Sequence, residues 1–387
     1  MRERRTPAPS SGIRACDDCL RRSGLIAAVA GRLDVEWRRR SAPAGVLSQP
    51  DEVLAALDPT GRAAREHAAF SPASARAEIA RAGLHAVCGC DAGYPERLRE
   101  LTDPPAVLHI AGRPDALEPV DAVALVGARR GTGYGLEVAR SLGRGLAAAG
   151  VPVVSGLAMG VDSAAHVGAL EHAGTAPAAP APSDPAPAAA PIAVLAGGAD
   201  VPYPPSRRGL YARIAAHGCV VSELPPGFRA YRWSFVARNR IIAGLAALTV
   251  VVEAAERSGS LTTADFAEQL GRTVAAVPGP VTSRFSAGTN GLLAAGAGLV
   301  RDARDVLDQL LGPDAPRREP PPPAIPIEPR LRGLLDAIER GHGSLAELAS
   351  DPGEANQVLQ DLTDLELRGL VRRGFGGRYV RALEGRP

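Results

Sequence analysis

The fold is decided by the stretch Val126-Gly127-Ala128-Arg129-Arg130-Gly131-Thr132-Gly133-Tyr134-Gly135. An uninterrupted apolar run, Ala122–Val126, leads into it and predicts a strand, and Tyr134–Ala149 follows it. In the second segment apolar residues such as Val138 and Leu142 recur at every fourth position, which places them on one stripe of a helix. A buried strand, a glycine-rich turn and a helix in this order predict the beginning of a parallel β-α-β unit.

The same alternation continues along the chain. Five further apolar runs predict strands, at Pro152–Ser155, Ile192–Ala196, Val220–Ser222, Leu248–Glu253 and Thr273–Val277. Runs that are apolar throughout and separated by helical segments are typical of a parallel sheet with helices on both faces. We therefore predict an α/β protein whose core, residues 83–311, is a Rossmann-like, doubly wound and mostly parallel sheet.

The sequence on either side of this core differs in composition. Residues 1–82 contain short helical segments separated by proline and glycine turns, which predicts a small N-terminal helical domain. This segment resembles helical domains of the SAM or helix-hairpin-helix type. Within the core, residues 175–191 are almost all alanine and proline and predict a surface loop. Residues 312–326 carry a proline run typical of a linker. Residues 327–387 have the outline of a C-terminal winged-helix domain, with three helices and a hairpin.

Composition limits the possible chemistry. The 387 residues include 44 basic ones, all of them arginine, against 42 acidic ones, so the net charge is +2. The absence of lysine excludes a lysine Schiff base, a lysine general base and a Walker-type phosphate site. Because the chain has neither a long uncharged apolar run nor an apolar signal core, we expect a cytoplasmic protein without a membrane span. We expect no cofactor.

The glycine-rich turn is suited to an anion. Gly127, Gly131 and Gly133 allow backbone N–H groups to approach a phosphate closely, and the following helix adds partial positive charge at its N-terminus. Arg129 and Arg130 can add bidentate phosphate contacts. The spacing is not Gly-x-Gly-x-x-Gly, and no acidic residue follows at the distance that a ribose needs, which disfavours an NAD-dependent dehydrogenase. A purely structural strand-to-helix turn is the alternative.

A second turn of the same kind follows the next predicted strand and opens another helix. Its predicted anion-binding residues are Ser155, Gly156, Met159 and Gly160. Asp162 and His166 lie four residues apart on one helix face, which favours a structural pair that positions the loop. A Ser/Asp/His hydrolase is the alternative, but the chain lacks the Gly-x-Ser-x-Gly nucleophile elbow.

No acidic residue occurs between Leu224 and Val252, and arginines and aromatic rings alternate within Phe228–Phe235. Arginines that neutralise phosphates, beside rings that stack on bases, suit single-stranded nucleic acid, although some of these rings also complete the core. The predicted contacts here and in the later helix-opening turn are Arg238, Arg240, Ser258 and Ser260. For the serines, simple capping of the helix is the alternative.

The five cysteines are spread over the chain, and their odd number is typical of a reducing compartment. Cys16-x-x-Cys19 and Cys88-x-Cys90 offer four thiolates to a zinc ion. The two segments are remote in sequence, and Cys-x-Cys is an unusual spacing for zinc. The sequence therefore favours free thiols and no metal, with zinc as the alternative.

Several of these motifs occur together, and in the same order, in one known family. The chain resembles the DNA-processing protein A family (DprA, also called Smf) through Val126–Gly135, Ser155–His166, Phe235–Leu245, Glu253–Thr263 and Gly288-Thr289-Asn290. The resemblance implies a homodimer, without catalysis, that binds single-stranded DNA in a basic pocket, protects incoming strands during natural transformation and loads the RecA recombinase. The matching positions that would line or shape this pocket are Arg129, Gly131, Ser155, Gly156, Gly160, Arg238, Asn239, Arg240, Ser258 and Gly259.

The main alternative is an enzyme on a related nucleotide-binding fold, a phosphoribohydrolase that cleaves nucleoside monophosphates. Such enzymes carry a Pro-Gly-Gly-x-Gly-Thr-x-x-Glu signature, whereas the corresponding place here reads Ser258-Gly259-Ser260-Leu261-Thr262-Thr263. The glycine pair and the signature glutamate are both missing. Release of a free base from a nucleotide distinguishes the two functions.

Overall fold

The computed structural model of the chain describes residues 12–39, 45–118, 121–173, 189–313, 328–349, 352–367, 370–374 and 377–381. The chain divides into two compact units, Met1–Arg318 and Glu319–Pro387. None of the helices in these described ranges is long and apolar enough to cross a membrane.

The first unit contains all but two of the strands described. Its helices are α1 (Asp17–Ala28), α2 (Ala30–Arg39), α3 (Asp51–Ala55), α4 (Arg62–Ala68), α5 (Pro72–Arg81), α6 (Glu96–Arg99), α7 (Gly133–Ala148), α8 (Val161–Ala173), α9 (Arg208–His217), α10 (Arg232–Leu245), α11 (Leu261–Gln269), α12 (Ala287–Ala294) and α13 (Ala303–Leu311). Its strands are β1 (His85–Cys88), β2 (Val107–Gly112), β3 (Val123–Val126), β4 (Val153–Ser155), β5 (Ile192–Val194), β6 (Cys219–Ser222), β7 (Leu248–Val251), β8 (Thr273–Ala276) and β9 (Gly298–Leu299).

These strands form one sheet in the order β1-β2-β6-β5-β4-β3-β7-β8-β9. From β6 to β9 every neighbouring pair is parallel, whereas β2 pairs antiparallel with both β1 and β6. The six predicted strands are β3 to β8, so the predicted α/β fold with a mostly parallel sheet is confirmed. β1, β2 and β9 are additional strands that the apolar runs did not predict. β1 and β2 each contain a histidine, and β9 has only two residues.

Helices cover both faces of the sheet, because successive side chains of a strand point to opposite sides. Val123 and Leu125 of β3 belong to an apolar cluster with α7, α8 and α13, whereas Ala124 and Val126 belong to one with α10 and α11. This alternation is the doubly wound arrangement, and its small and aliphatic side chains explain how a chain with 4% aromatic residues builds a core.

The helices that precede the sheet share cores with it. Leu20 of α1 and Ile79 of α5 pack with Ala86 of β1 in one cluster. In another cluster, residues of α1, α2 and α3 surround Trp233 and Ala237 at the beginning of α10. The predicted boundary at residue 82 thus lies inside one compact unit, because both of these cores draw side chains from its two sides.

The strand order places several loops together. After β3 the chain adds β4, β5 and β6 on one side and then returns to add β7, β8 and β9 on the other. At such a switch point the connections leave on opposite faces, and a crevice opens at the carboxyl ends of the strands. The turns that follow β3, β4, β5 and β7 therefore meet at one edge of the sheet.

The second unit contains α14 (Pro329–Glu339), α15 (Leu345–Leu348), α16 (Pro352–Leu367) and the antiparallel pair β10 (Val371–Arg373) and β11 (Tyr379–Arg381). The three helices and the hairpin follow each other in the predicted order, and the winged-helix assignment stays a prediction. The predicted linker, residues 312–326, lies outside the described residues except at 312 and 313. The same holds for the Ala/Pro loop except at Ala189–Pro191, where Ala190 is buried.

Candidate nucleic-acid interface

An open cavity of about 340 Å³ lies where the turns after β3 and β7 meet α10. The predicted residues on its lining are Gly127, Arg129, Arg130, Arg238, Asn239, Ser258, Gly259 and Ser260, and Asp162, Phe235 and Phe285 complete its polar and aromatic wall. A smaller cavity of about 70 Å³ shares Arg129, Phe235 and Arg238 with it, and adds Gly156, Met159 and Tyr203. Together they form a continuous surface, which we term the arginine–aromatic cavity.

Helix α10 supplies the base of this cavity, and its N-terminus is tightly fixed. The Ser234 hydroxyl accepts a hydrogen bond from the backbone N–H of Tyr231 at 3.0 Å and donates one to its carbonyl at 2.8 Å. The backbone N–H of Trp233 donates to the carboxylate of Asp34 in α2 at 3.1 Å. Since the Trp233 ring is buried in the core shared with the N-terminal helices, it is not available to stack on a base.

Arg238 holds the turns after β4 and β5 together. Its Nη1 donates to the carbonyls of Gly156 at 2.7 Å and Val194 at 2.8 Å, while its Nε is buried without a partner among the residues described. Burial lowers the pKa of Arg238 to about 10, and the Asp162 carboxylate opposes this shift. The guanidinium is therefore charged at neutral pH and places positive charge at the base of the cavity.

Asn239, the next residue of α10, fixes the opposite wall. Its Nδ2 donates to the carbonyl of Gly259 at 3.1 Å and to the hydroxyl of Thr262 at 2.7 Å. The hydroxyls of Ser258 and Ser260 hydrogen-bond each other at 2.7 Å. This serine-rich turn leads into α11, so its backbone and hydroxyl groups lie at the positive end of that helix.

Two arginine–aromatic pairs border the cavity. The Arg129 guanidinium lies 5.0 Å from the Phe235 ring centroid, and the Phe235 and Tyr203 ring centroids are 5.3 Å apart. The Arg284 guanidinium lies 4.8 Å from the Phe285 ring. Within the described ranges neither arginine has a carboxylate within 4.0 Å, so both charges are free for an anionic ligand. Phe285 and Tyr203 were not among the predicted site residues, although Arg284-Phe285 repeats the arginine–aromatic pattern.

The N-terminus of α7 is not the anion site that the glycine-rich turn predicts. The backbone N–H of Thr132 donates to Glu253 Oε2 and its hydroxyl donates to Oε1, both at 2.8 Å. A carboxylate of the protein itself therefore occupies this helix end. Gly131 and Gly133 belong to this turn and are not on the lining of the cavity, so their contact with DNA stays a prediction.

The second turn also differs from its prediction. Ser155 is fully buried and its hydroxyl donates to the carbonyl of Leu125 at 2.6 Å, so it cannot contact a ligand. Gly160 has φ +82°, and a Cβ there would lie 2.2 Å from the carbonyl oxygen of Ala128. It is thus required for close packing of the two turns.

The predicted Asp162–His166 pair is not hydrogen-bonded. Asp162 Oδ2 instead accepts a hydrogen bond from the backbone N–H of Gly156 at 3.2 Å, and burial raises the pKa of this carboxyl. His166 is fully buried, and burial lowers its pKa to about 4, so the ring is neutral at physiological pH. Asp162 therefore contacts the loop through the backbone of Gly156 and not as a pair with His166.

Arg240 points away from the cavity into a buried ion network. Its Nε donates to Asp103 Oδ1 at 3.0 Å, and its Nη1 and Nη2 donate to the two Glu223 oxygens at 2.8 and 2.7 Å. The side chain is 3% exposed. Two carboxylates already neutralise this guanidinium, so the predicted phosphate contact by Arg240 is wrong.

Comparison with known proteins extends these observations. Residues 85–311 match the family model of DNA recombination-mediator protein A. The putative DNA processing protein DprA of Mycobacterium tuberculosis is 42% identical over 301 residues, which cover 75% of this chain and 72% of that protein. The DprA structure of Streptococcus pneumoniae superposes with a TM-score of 0.59 at 31% identity, covering 76% of this chain and 96% of the other.

A second solved structure, which describes the single-stranded DNA binding mode of DNA processing protein A from Helicobacter pylori, superposes with a TM-score of 0.50 at 28% identity. It covers 59% of this chain and 95% of the other. The family model spans the whole parallel sheet and every loop of the arginine–aromatic cavity. The chain therefore belongs to the DNA recombination-mediator protein A family and has the DNA-processing role of that family.

Proposed function

We propose that this protein binds single-stranded DNA in the arginine–aromatic cavity and acts there as a recombination mediator. The observation that carries the proposal is the pairing of Arg129 with Phe235 and of Arg284 with Phe285 beside one cavity, with no carboxylate partner within the described ranges. Cations and rings side by side match the alternation of phosphate and base along a nucleic acid strand.

The geometry favours a single strand over a duplex. The rings of Phe235 and Phe285 are half-buried in a cavity wall, and only an unstacked base can reach such a surface. Arg129 and Arg130 are exposed at the rim, where they can contact the phosphates on either side of that base. Arg238 contributes a positive charge at the base of the cavity, and its position is fixed because two carbonyls accept hydrogen bonds from its Nη1.

The proposal extends to the cellular role. The Helicobacter pylori relative is described as binding single-stranded DNA, which supports the same ligand for this chain. We further propose that a homodimer of this protein protects incoming single strands in natural transformation and loads RecA onto them. Light scattering tests the dimer. The rate at which RecA filaments nucleate on coated single strands, with and without this protein, tests the loading.

Fluorescence anisotropy with labelled single-stranded and duplex oligonucleotides tests the binding site. We expect Arg129→Ala to weaken single-strand binding by about 5- to 150-fold, since one lost arginine–phosphate contact costs about 1–3 kcal/mol. Arg213→Ala is the matched control, because Arg213 is exposed on α9 and does not line the cavity. Equal affinities for the two variants and the wild type would exclude this cavity as the binding site.

A further inference from the structure

Four of the five cysteines converge at the junction between α1 and β1. The Sγ atoms of Cys16, Cys19, Cys88 and Cys90 all lie within 4.8 Å of one another. Cys16 caps α1 and Cys19 lies in its first turn, while Cys88 ends β1 and Cys90 lies in the turn after it. We term these residues the cysteine cluster.

Backbone pairing brings the two remote segments together. The backbone N–H of Arg14 donates to the carbonyl of Ala86 at 2.7 Å, and that of Ala86 donates to the carbonyl of Gly12 at 2.9 Å. The chain before α1 therefore runs beside β1, and the residues that follow each pairing segment meet. This contact removes one of the two sequence arguments against a shared site, the distance between the two cysteine pairs along the chain, and leaves the unusual Cys-x-Cys spacing.

The spacing of the sulfurs fits one small metal ion. Four thiolates bound tetrahedrally at about 2.3 Å from zinc lie about 3.8 Å from each other. Cys19 Sγ and Cys90 Sγ are 3.9 Å apart, and all four thiols are free, with no disulfide among them. The four sulfurs need to close by less than about 1 Å to reach that geometry. An iron–sulfur cluster, by contrast, holds its cysteine sulfurs further apart, because several irons stand between them.

The surroundings suit a negatively charged metal–thiolate centre. The backbone N–H of Cys16 points to Cys88 Sγ at 3.4 Å, as expected for stabilisation of a thiolate. Arg99 donates to the carbonyls of Gly89 and Asp91, which fixes the turn that carries Cys90. Cys88 is buried and Cys90 is exposed, so the site is anchored in the protein and open to solvent on one side.

We propose that the cysteine cluster binds one zinc ion, which fastens the N-terminal helices to the edge of the sheet. Four protein ligands complete a tetrahedron and leave no position for substrate, so the site is structural. The metal joins residues 72 positions apart, at the rim of the apolar cluster that unites Leu20 of α1 with Ala86 of β1.

Metal analysis of the untagged, full-length protein tests this proposal. We expect one zinc per chain in the wild type, loss of that zinc in Cys90→Ser and in Cys16→Ser, and full retention in Cys219→Ala. Cys219 is the matched control because it is a free, buried cysteine in a different cluster. Zinc retained by both serine variants at the wild-type level would overturn the proposal, as would iron or disulfides at the cluster.

A second measurement does not depend on how the variants fold. Cobalt(II) added to metal-free, reduced wild-type protein is expected to produce the intense visible absorption of a tetrahedral four-sulfur site, and zinc is expected to abolish it. Absence of this spectrum, together with absence of zinc in the purified protein, would refute the site. The cobalt spectrum is independent of DNA binding, so the zinc site and the DNA-binding cavity are tested separately.

Discussion

Arg240→Ala is expected to destabilise the protein without removing a contact to DNA. In the wild type the guanidinium makes five hydrogen bonds, three of them to the carboxylates of Asp103 and Glu223. The side chains of all three residues are at most 10% exposed. Removal of the arginine leaves two buried carboxylates without their counter-charge, which costs about 3–5 kcal/mol.

The corresponding shift in melting temperature follows from the size of the unit. A large unit changes its melting temperature by about 2 °C per kcal/mol, so we expect a decrease of roughly 6–10 °C. Thermal unfolding followed by circular dichroism measures it, and anisotropy well below both transitions measures the DNA affinity of the folded variant. We expect that affinity to stay within about threefold of the wild type, under 0.7 kcal/mol.

The stability of the Arg240→Ala variant is expected to change with pH in a defined direction. Burial raises the pKa of Asp103 and Arg240 opposes this shift, so the variant raises that pKa further. A carboxyl whose pKa is higher in the folded state binds its proton there first, so the stability lost in the variant is partly regained as the pH falls. A triple variant that adds Asp103→Asn and Glu223→Gln to Arg240→Ala is expected to regain part of the lost stability at neutral pH. A variant with the wild-type melting temperature but little affinity for single-stranded DNA would refute this reasoning and return Arg240 to the binding site.

Four other outcomes are expected. Gly156→Ala places a Cβ 1.8 Å from Arg238 Nη1, so it is expected to displace that guanidinium and weaken DNA binding in anisotropy titrations; unchanged affinity would contradict this. Truncation after Leu311 is expected to keep the affinity for single-stranded DNA within about tenfold of the wild type, 1.4 kcal/mol. The reason is that the removed segment from residue 328 to the end has nine arginines against ten acidic residues. A larger loss of affinity would place the main binding site in the removed segment. Deletion of residues 176–188, which spares the buried Ala190, is expected to leave the melting temperature nearly unchanged, whereas a large decrease would show that the loop is packed. Chromatography after incubation with nucleoside monophosphates is expected to show no free base. Asp162 is the one carboxylate on the described lining of the larger cavity, and it faces Arg238. Release of a base would favour the phosphoribohydrolase.

The parallel part of the fold could be predicted from the sequence because β3 to β8 are mostly apolar and buried, and each is bounded by a turn. The meeting of their loops follows from the sheet topology, which explains why two separate glycine-rich turns and α10 contribute to one cavity. Local pattern was sufficient for these six strands, but not for β1, β2 and β9 of the same sheet.

The incorrect site predictions concern residues whose contact partners are distant in sequence. Glu253 accepts a hydrogen bond at the N-terminus of α7 although it lies 121 residues away in sequence. No pattern near α7 predicts this contact. For Arg240 the sequence did hold a signal, since residues two apart on a helix point to nearly opposite sides. Arg238 and Arg240 therefore could not both face the cavity. The cysteine cluster likewise depends on the pairing of Ala86 with the chain before α1, which periodicity does not encode.

Ultraviolet crosslinking of oligothymidine to the full-length protein, followed by mass spectrometry of the linked peptides, is the decisive test of whether single-stranded DNA binds in the arginine–aromatic cavity. Only residues in contact with a base form such crosslinks, so the map reports the binding surface itself. We expect crosslinks at Phe235, Phe285 and Tyr203, which border the arginine–aromatic cavity. Crosslinks confined to residues 328–381, with none at these three rings, would contradict it.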